Sequence, residues 1–305
     1  MIAGAAGNPP LLSTTELEAL QWQVMEKWQR NRHKTRAPHA GPFASFFRGQ
    51  GMEPHDSRPY QPGDDIRHMD WRATARSGRA ISKVFLDERG RRLFLIVDRH
   101  PGMFFGTRRE LKAATAARCA AILAFSALAA REHVAGAIIG DGIRFFPPAT
   151  TTNGVLPLLY AAAAPAAVSS AARNDSLATH LPVLAERIEA GMDLCLISDF
   201  HGLTDAHAPL LRNLGGSCAA HALQVWDPGE ESLEDAGVLR LCPPGGGAAL
   251  TVDTHDAALR AHYGRTMTER RQALARLLQR SGVTLTRIAT HRDTLGQLEA
   301  AHAGY

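Results

Sequence analysis

The chain has 305 residues, enough for one large domain or two ordinary ones, and a core of that size needs no disulfide or metal staple. Apolar residues at 45% and charged residues at 21% exclude wholesale disorder and a collagen-like fibre. Lys and Arg exceed Asp and Glu by 34 to 30, and the resulting formal charge of +4 is too small to predict a nucleic-acid partner by itself.

Residues 1–38 form a first zone. Ser13 or Thr14 ahead of Glu16 or Glu18 is a capping pattern, and it predicts a helix through STTELEALQWQVMEKWQR. The helix runs into a basic stretch with Lys27, Arg30, Arg32, Lys34 and Arg36. Bases at a helix C-terminus complement its dipole, so a solvated helix end is the reading preferred over a nucleic-acid contact. The first twenty residues lack the basic and long apolar regions of a secretory signal. Residues 119–130 are too short to span a bilayer, and 154–172 is broken by Pro157 and Pro165. Cys119, Cys195, Cys218 and Cys242 are scattered and form no C-x-x-C, as free thiols of a reducing compartment would be. The expectation is a cytoplasmic protein without membrane insertion.

The second zone, 39–90, has no helical or strand periodicity. Between Arg48 and Arg79 it carries five acids (Glu53, Asp56, Asp64, Asp65, Asp70), six arginines (Arg48, Arg58, Arg67, Arg72, Arg76, Arg79) and no lysine. Guanidinium forks pair bidentately with carboxylates or phosphates. The near-equal mixture of signs favours a structural ion-pair network, anchored by Tyr60 and Trp71, over a phosphate grip.

The third zone, 91–305, alternates strands and helices. Strands are expected at 92–98, 133–139, 142–147, 192–200, 218–226 and 283–290, and helices at 108–131, 178–190, 204–214 and 257–281. Short continuous apolar runs separated by helices predict a mostly parallel α/β sheet covered on both faces. Residues 227–256 read as an irregular excursion or hairpin.

In such a sheet, ligands collect beyond the carboxyl ends of the strands. Two apolar strands end in an aspartate there, Asp98 and Asp199. Each can hold a cation or orient a ligand, but taken alone the preferred reading is that each caps the following helix. Asp98-Arg99-His100 and Asp199-Phe200-His201 share the pattern D-x-H, so two carboxylates and two imidazoles could hold zinc or another transition metal. The chain has no G-x-x-x-x-G-K-[ST], G-x-S-x-G or H-E-x-x-H, and no G-x-G-x-x-G after a strand.

The segment R-P-Y-Q-P-G-D-D-I-R-H-M-D-W-R-A-T-A-R at 58–76 resembles the signature of the domain of unknown function 58 family. Its family positions are Arg58, Tyr60, Gly63, Asp64, Asp65, Arg67, Asp70, Trp71 and Arg76. Phe105-Gly106 with Lys112, I-S-D-F at 197–200 and V-W-D-P at 225–228 extend the likeness over about residues 43–295. The resemblance implies a von Willebrand factor A-like domain with a metal-ion-dependent adhesion site. Asp98 and Asp199 align with that site's aspartates, and Ser176 stands in for its threonine. His100 and Gly102 occupy the places of its Ser-x-Ser, which predicts weak Mg²⁺ binding because that ion demands octahedral oxygen coordination.

The resemblance further implies an association with MoxR-type AAA+ ATPases. The expected role is therefore a non-catalytic, protein-binding adaptor in assembly or activation of other complexes, contacting its partner through Arg99 and His100. Two alternatives are a metal-dependent hydrolase using Asp98, His100, Asp199 and His201, and a nucleic-acid binder using the basic helix end.

Overall fold

The computed structural model describes residues 10–32, 57–59, 74–76, 81–83, 92–165, 176–242 and 248–303. Helix α1 (Thr14–Arg32) opens on the expected capping box. Ser13 N–H donates to Glu16 Oε2 at 2.8 Å, and Glu16 N–H donates to Ser13 Oγ at 3.2 Å. Within 39–90, β1 (Ser57–Pro59) pairs antiparallel with β2 (Ile81–Lys83), setting Arg58 opposite Ser82. Sequence periodicity did not disclose this three-residue ladder. The motif positions Tyr60, Gly63, Asp64, Asp65, Arg67, Asp70 and Trp71 lie outside the described residues.

The chain then runs through β3 (Arg92–Asp98), α2 (Lys112–Ala129), β4 (His133–Gly140), β5 (Gly142–Ala149), α3 (Thr152–Ala163), α4 (Leu177–Ala185) and β6 (Asp193–Ser198). It continues through α5 (Ala208–Ser217), β7 (Ala219–Trp226), α6 (Pro228–Glu231), β8 (Val238–Leu241), β9 (Leu250–Asp253), α7 (Ala257–Arg280), β10 (Thr284–Ala289) and α8 (Thr294–Ala303). Six strands form one sheet in the order β10-β7-β6-β3-β4-β5, parallel throughout except for the antiparallel edge strand β5. The six expected strands are all present, with ends displaced by no more than about two residues, the usual uncertainty at element boundaries. The excursion 227–256 contains α6 and an antiparallel hairpin, β8 with β9.

β3 is apolar on both faces because both faces are covered. Leu93, Leu95 and Val97 join one core with α1, α2, α3 and α8, while Phe94 and Ile96 join the opposite core with α4, α5 and α7. α2 lies inside the first core with Ala113, Ala116, Ala117, Ala120, Ala121 and Ala124 all buried. It is long and apolar enough to cross a membrane, yet 83% of it is buried within the protein. Small side chains let α1, α3 and α8 approach it closely. α1 packs one face on this core through Leu17, Leu20 and Val24, and burying each leucine contributes roughly 2 kcal/mol. Cys119, Cys195 and Cys218 are buried free thiols and Cys242 is exposed.

The helices expected at 108–131, 178–190 and 204–214 are found at 112–129, 177–185 and 208–217, and outside the excursion two further helices were not expected. α3 occupies the Ala-rich stretch that Pro157 was expected to interrupt. Its apolar face (Val155, Leu158, Leu159, Ala162) packs in the core, and that burial outweighs the one backbone bond the proline removes. Thr151 caps it by accepting from Gly154 N–H. α8 had no sequence counterpart, yet it seats Leu295 and Leu298 in the first core.

Candidate functional site

β3 and β6 are parallel neighbours, with Val97 opposite Ile197. After β3 the chain builds β4 and β5 on one side, and then returns to add β6 on the other. The strand order reverses at this point, where open α/β sheets place their ligands. Asp98 and Ser198 therefore stand side by side at the carboxyl edge, with Asp199 one residue farther out.

Asp98 is completely buried. Its Oδ1 accepts from His100 N–H at 3.0 Å, and its Oδ2 accepts from Ser198 Oγ at 2.7 Å and from Leu177 N–H at 3.1 Å. The last of these is a free N–H of the first turn of α4, so the carboxylate also meets that helix's positive end. The Ser198 hydroxyl in turn accepts from Phe200 N–H at 2.9 Å, holding a turn in which Phe200 takes a φ of 59°. Ser176 is the residue before α4; it is buried, and its side chain makes no capping bond.

His100 is buried over Gly102. A Cβ on Gly102 would fall 2.6 Å from His100 Nε2, so the glycine makes the room that the imidazole fills. Nδ1 lies 3.1 Å from Asp98 Oδ1, and Nε2 lies 3.6 Å from Asp199 Oδ2. Burial disfavours the imidazolium, but Asp98 and Asp199 outweigh it and raise the pKa above the ordinary value.

Lys112 dominates the site. It is the first residue of α2, is 1% exposed, and places Nζ 2.7 Å from Asp199 Oδ2 and 2.5 Å from Glu230 Oε1. Burial works against its charge, but the two carboxylates prevail and hold its pKa above the ordinary value. Burial also pushes Asp199 upward, and Lys112 with His100 reverse this and hold it below the ordinary carboxylate range. Glu230 is pushed up by burial, with Lys112 opposing only in part. The other oxygen of Asp199 accepts from His201 N–H at 2.9 Å.

Of the sequence candidates, Asp98, His100 and Asp199 converge, each offering a ligand atom within 4.8 Å of the others. His201 does not join them. It is exposed, and its ring lies roughly parallel to His100 at a centroid distance of 6.3 Å. Arg99 has a structural occupation. Its guanidinium donates to the carbonyls of Ala161, Ala164 and Pro165 at the C-terminal end of α3 and sits over Phe104. At the basic helix end, Lys27 pairs with Glu299 at 2.5 Å and Arg30 with Glu26. Arg76 is exposed.

An adhesion-type magnesium does not fit this donor set. The two hydroxyls of Ser-x-Ser are replaced, Asp98 is already filled by three donors, and Asp199 faces an ammonium.

The sequence reading missed Lys112, Ser198, Glu230 and Asp227 as site residues. Asp227 follows β7 as Asp98 ends β3. It is completely buried and accepts from Thr107 N–H and Oγ1, Gly229 N–H and Thr290 Oγ1. It thereby caps α6 and orients Glu230 toward Lys112. The available signals were the aspartate of V-W-D-P, again at a strand end, and a lysine beginning an otherwise apolar, Ala-rich helix.

The chain is similar to several known proteins. "Uncharacterized protein Rv1480" of Mycobacterium tuberculosis and "Uncharacterized protein Mb1516" of Mycobacterium bovis are each 28% identical over 300 residues, covering 98% of this chain and 90% of theirs. Among solved structures, the conserved hypothetical protein BatB from Bacteroides thetaiotaomicron aligns with a TM-score of 0.46 at 9% identity, over 71% of this chain and 100% of that one. An aerotolerance-related membrane protein from Bacteroides fragilis aligns with a TM-score of 0.42 at 9% identity, over 70% and 96%. The family described as "Protein of unknown function DUF58" matches residues 56–273, most of the described sheet included, and the chain belongs to that family.

Proposed function

We propose that this chain is a cytoplasmic, non-catalytic adaptor with a von Willebrand factor A-like domain, working with a MoxR-type AAA+ ATPase in the assembly or activation of other protein complexes. The ATPase partner follows from the family resemblance. The observation that carries the non-catalytic part is the complete internal engagement of the strand-end carboxylates. Asp98 accepts three hydrogen bonds, and Asp199 is held between His201 N–H and Lys112. Neither is poised as nucleophile or general base, since a base must reach a substrate proton. The outward face of this edge carries exposed His201 and Phe105, the latter 40% exposed and bonded through its carbonyl to Lys112 N–H. Exposed aromatic side chains are enriched in protein interfaces.

The test mixes the purified chain with the purified MoxR-type ATPase of the same source and measures binding by surface plasmon resonance. Wild type should bind saturably, and His201→Glu should weaken binding by about tenfold, roughly 1.4 kcal/mol, without changing the melting temperature. Wild type should not turn over p-nitrophenyl phosphate. Lack of saturable binding rejects the adaptor. Phosphoester turnover abolished by Asp98→Ala establishes the hydrolase in its place.

A further inference from the structure

Three carboxylates and one imidazole converge at the switch point of the sheet, and the only side-chain ammonium among the described residues of that cluster is Lys112. We propose that Lys112 is the resident cation of this site, a protein ammonium that takes the electrostatic place of a divalent ion and excludes one. This inference concerns what fills the site and stands apart from the identity of any partner.

The position of Nζ carries the argument. It lies 2.7 Å from Asp199 Oδ2, the same oxygen that His100 Nε2 faces at 3.6 Å. A divalent ion bridging Asp98, His100 and Asp199 would need that oxygen and would stand within a few ångströms of the ammonium, where like charges repel strongly in a water-poor setting. Lys112 cannot yield its place without a large rearrangement. Its side chain is 1% exposed, and it begins a helix whose next five residues are buried. Glu230 holds it from the far side at 2.5 Å.

The chain thus retains most of a transition-metal donor set, two carboxylates and an imidazole, with a third carboxylate beside them. Removing only the ammonium should uncover a site for Mn²⁺ or Zn²⁺. Contact made at this edge by the wild-type protein should accordingly be indifferent to chelators.

The experiment uses the full chain as wild type, Lys112→Met, Lys112→Arg and Lys112→Met/His100→Ala. Each is titrated with MnCl₂ and ZnCl₂ by calorimetry, with melting followed in the presence of EDTA or metal. Wild type and Lys112→Arg should show no stoichiometric binding and no shift in melting. Lys112→Met should bind one ion per chain, tighter than wild type by about a hundredfold, and the double variant should lose that gain. If Lys112→Met does not fold alone, refolding in Mn²⁺ or Zn²⁺ should recover it. One ion bound per wild-type chain and lost in Asp199→Ala overturns the proposal. So does a Lys112→Met chain that gains no affinity when folded, or is rescued by neither metal when unfolded.

Discussion

Lys112 Nζ lies 2.7 Å from Asp199 Oδ2, joining the first turn of α2 to the end of β6 across 87 positions of the chain. The pair locks the helix that lines one core to the strand that divides the two cores. Taking both charges from water costs several kcal/mol, and mutual attraction with added hydrogen bonds offsets it. The pair therefore contributes more to a single arrangement of this edge than to net stability, and breaking it is far costlier than its presence is favourable.

Lys112→Met, measured in EDTA, should lower stability by about 3 kcal/mol, because Asp199 and Glu230 are left facing each other without a counter-charge. That figure sits at the low end for buried pairs, since the Glu230 side chain is 36% exposed and partly hydrated. Adding Glu230→Gln to Lys112→Met should recover part of the loss. Urea unfolding measures both, and a second substitution that only adds to the damage would contradict the account.

The centre of the sheet was legible because β3, β4 and β6 are continuous apolar runs, and β3 and β6 run into polar residues at their ends. Asp98 and Asp199 were legible for the same reason. The lysine between Asp199 and Glu230 was not, because partners 87 and 118 positions away are set by tertiary packing that local pattern does not encode. The two D-x-H stretches look equivalent in sequence but are not equivalent in space. Asp98 is the last residue of β3, whereas Asp199 lies one past the end of β6, beside which Ser198 takes the Asp98 level. The two turns also differ, because Phe200 takes a positive φ of 59° and its counterpart Arg99 does not. His100 consequently turns inward and His201 outward, and the four-ligand site expected from spacing reduces to three. Arg99, expected at a partner contact, rests on the carbonyls of Ala161, Ala164 and Pro165 at the end of α3, a helix the sequence did not disclose.

Ser198→Ala removes the hydroxyl that donates to Asp98 Oδ2 and accepts from Phe200 N–H. Both partners are buried, so the loss should reach about 2 kcal/mol, above the value of an ordinary hydrogen bond. Chemical denaturation reads the loss. Amide exchange at Phe200 should accelerate relative to the interior of β6, and unchanged exchange there would mean the hydroxyl does not hold the turn.

Two adjacent glycines of α5 should respond in opposite directions. A Cβ on Gly215 would lie 2.0 Å from the Ser281 carbonyl oxygen, where α5 crosses the end of α7 backbone to backbone. Neither side can yield, so Gly215→Ala should cost about 2 kcal/mol or more. Gly216 is exposed and nothing lies within 4 Å of its added Cβ, so Gly216→Ala should stabilise by up to about 1 kcal/mol through helix propensity. Melting temperatures that move in the same direction would show that the crossing is looser than its geometry.

Asp227 gives the molecule an acid-sensitive joint. Burial alone would raise its pKa, but the donors from Thr107, Thr290 and Gly229 outweigh burial and hold it below the ordinary carboxylate range. A carboxyl depressed in the folded state adds stability at pH above its unfolded value of about 3.9, and that contribution is lost as pH falls through the folded value. Asp227→Asn cannot ionise, and it turns an amide N–H₂ toward groups that are themselves donors, so near neutral pH it should be less stable by about 2 kcal/mol. The difference from wild type should hold constant from pH 8 to about 5 and narrow below about 4, as the wild-type carboxylate takes up its proton. Because Asp227 caps the short helix that carries Glu230, the substitution should also loosen the second anchor of Lys112. A stability gap that stays flat down to about pH 3 would mean that the carboxylate's charge is not what these donors recognise.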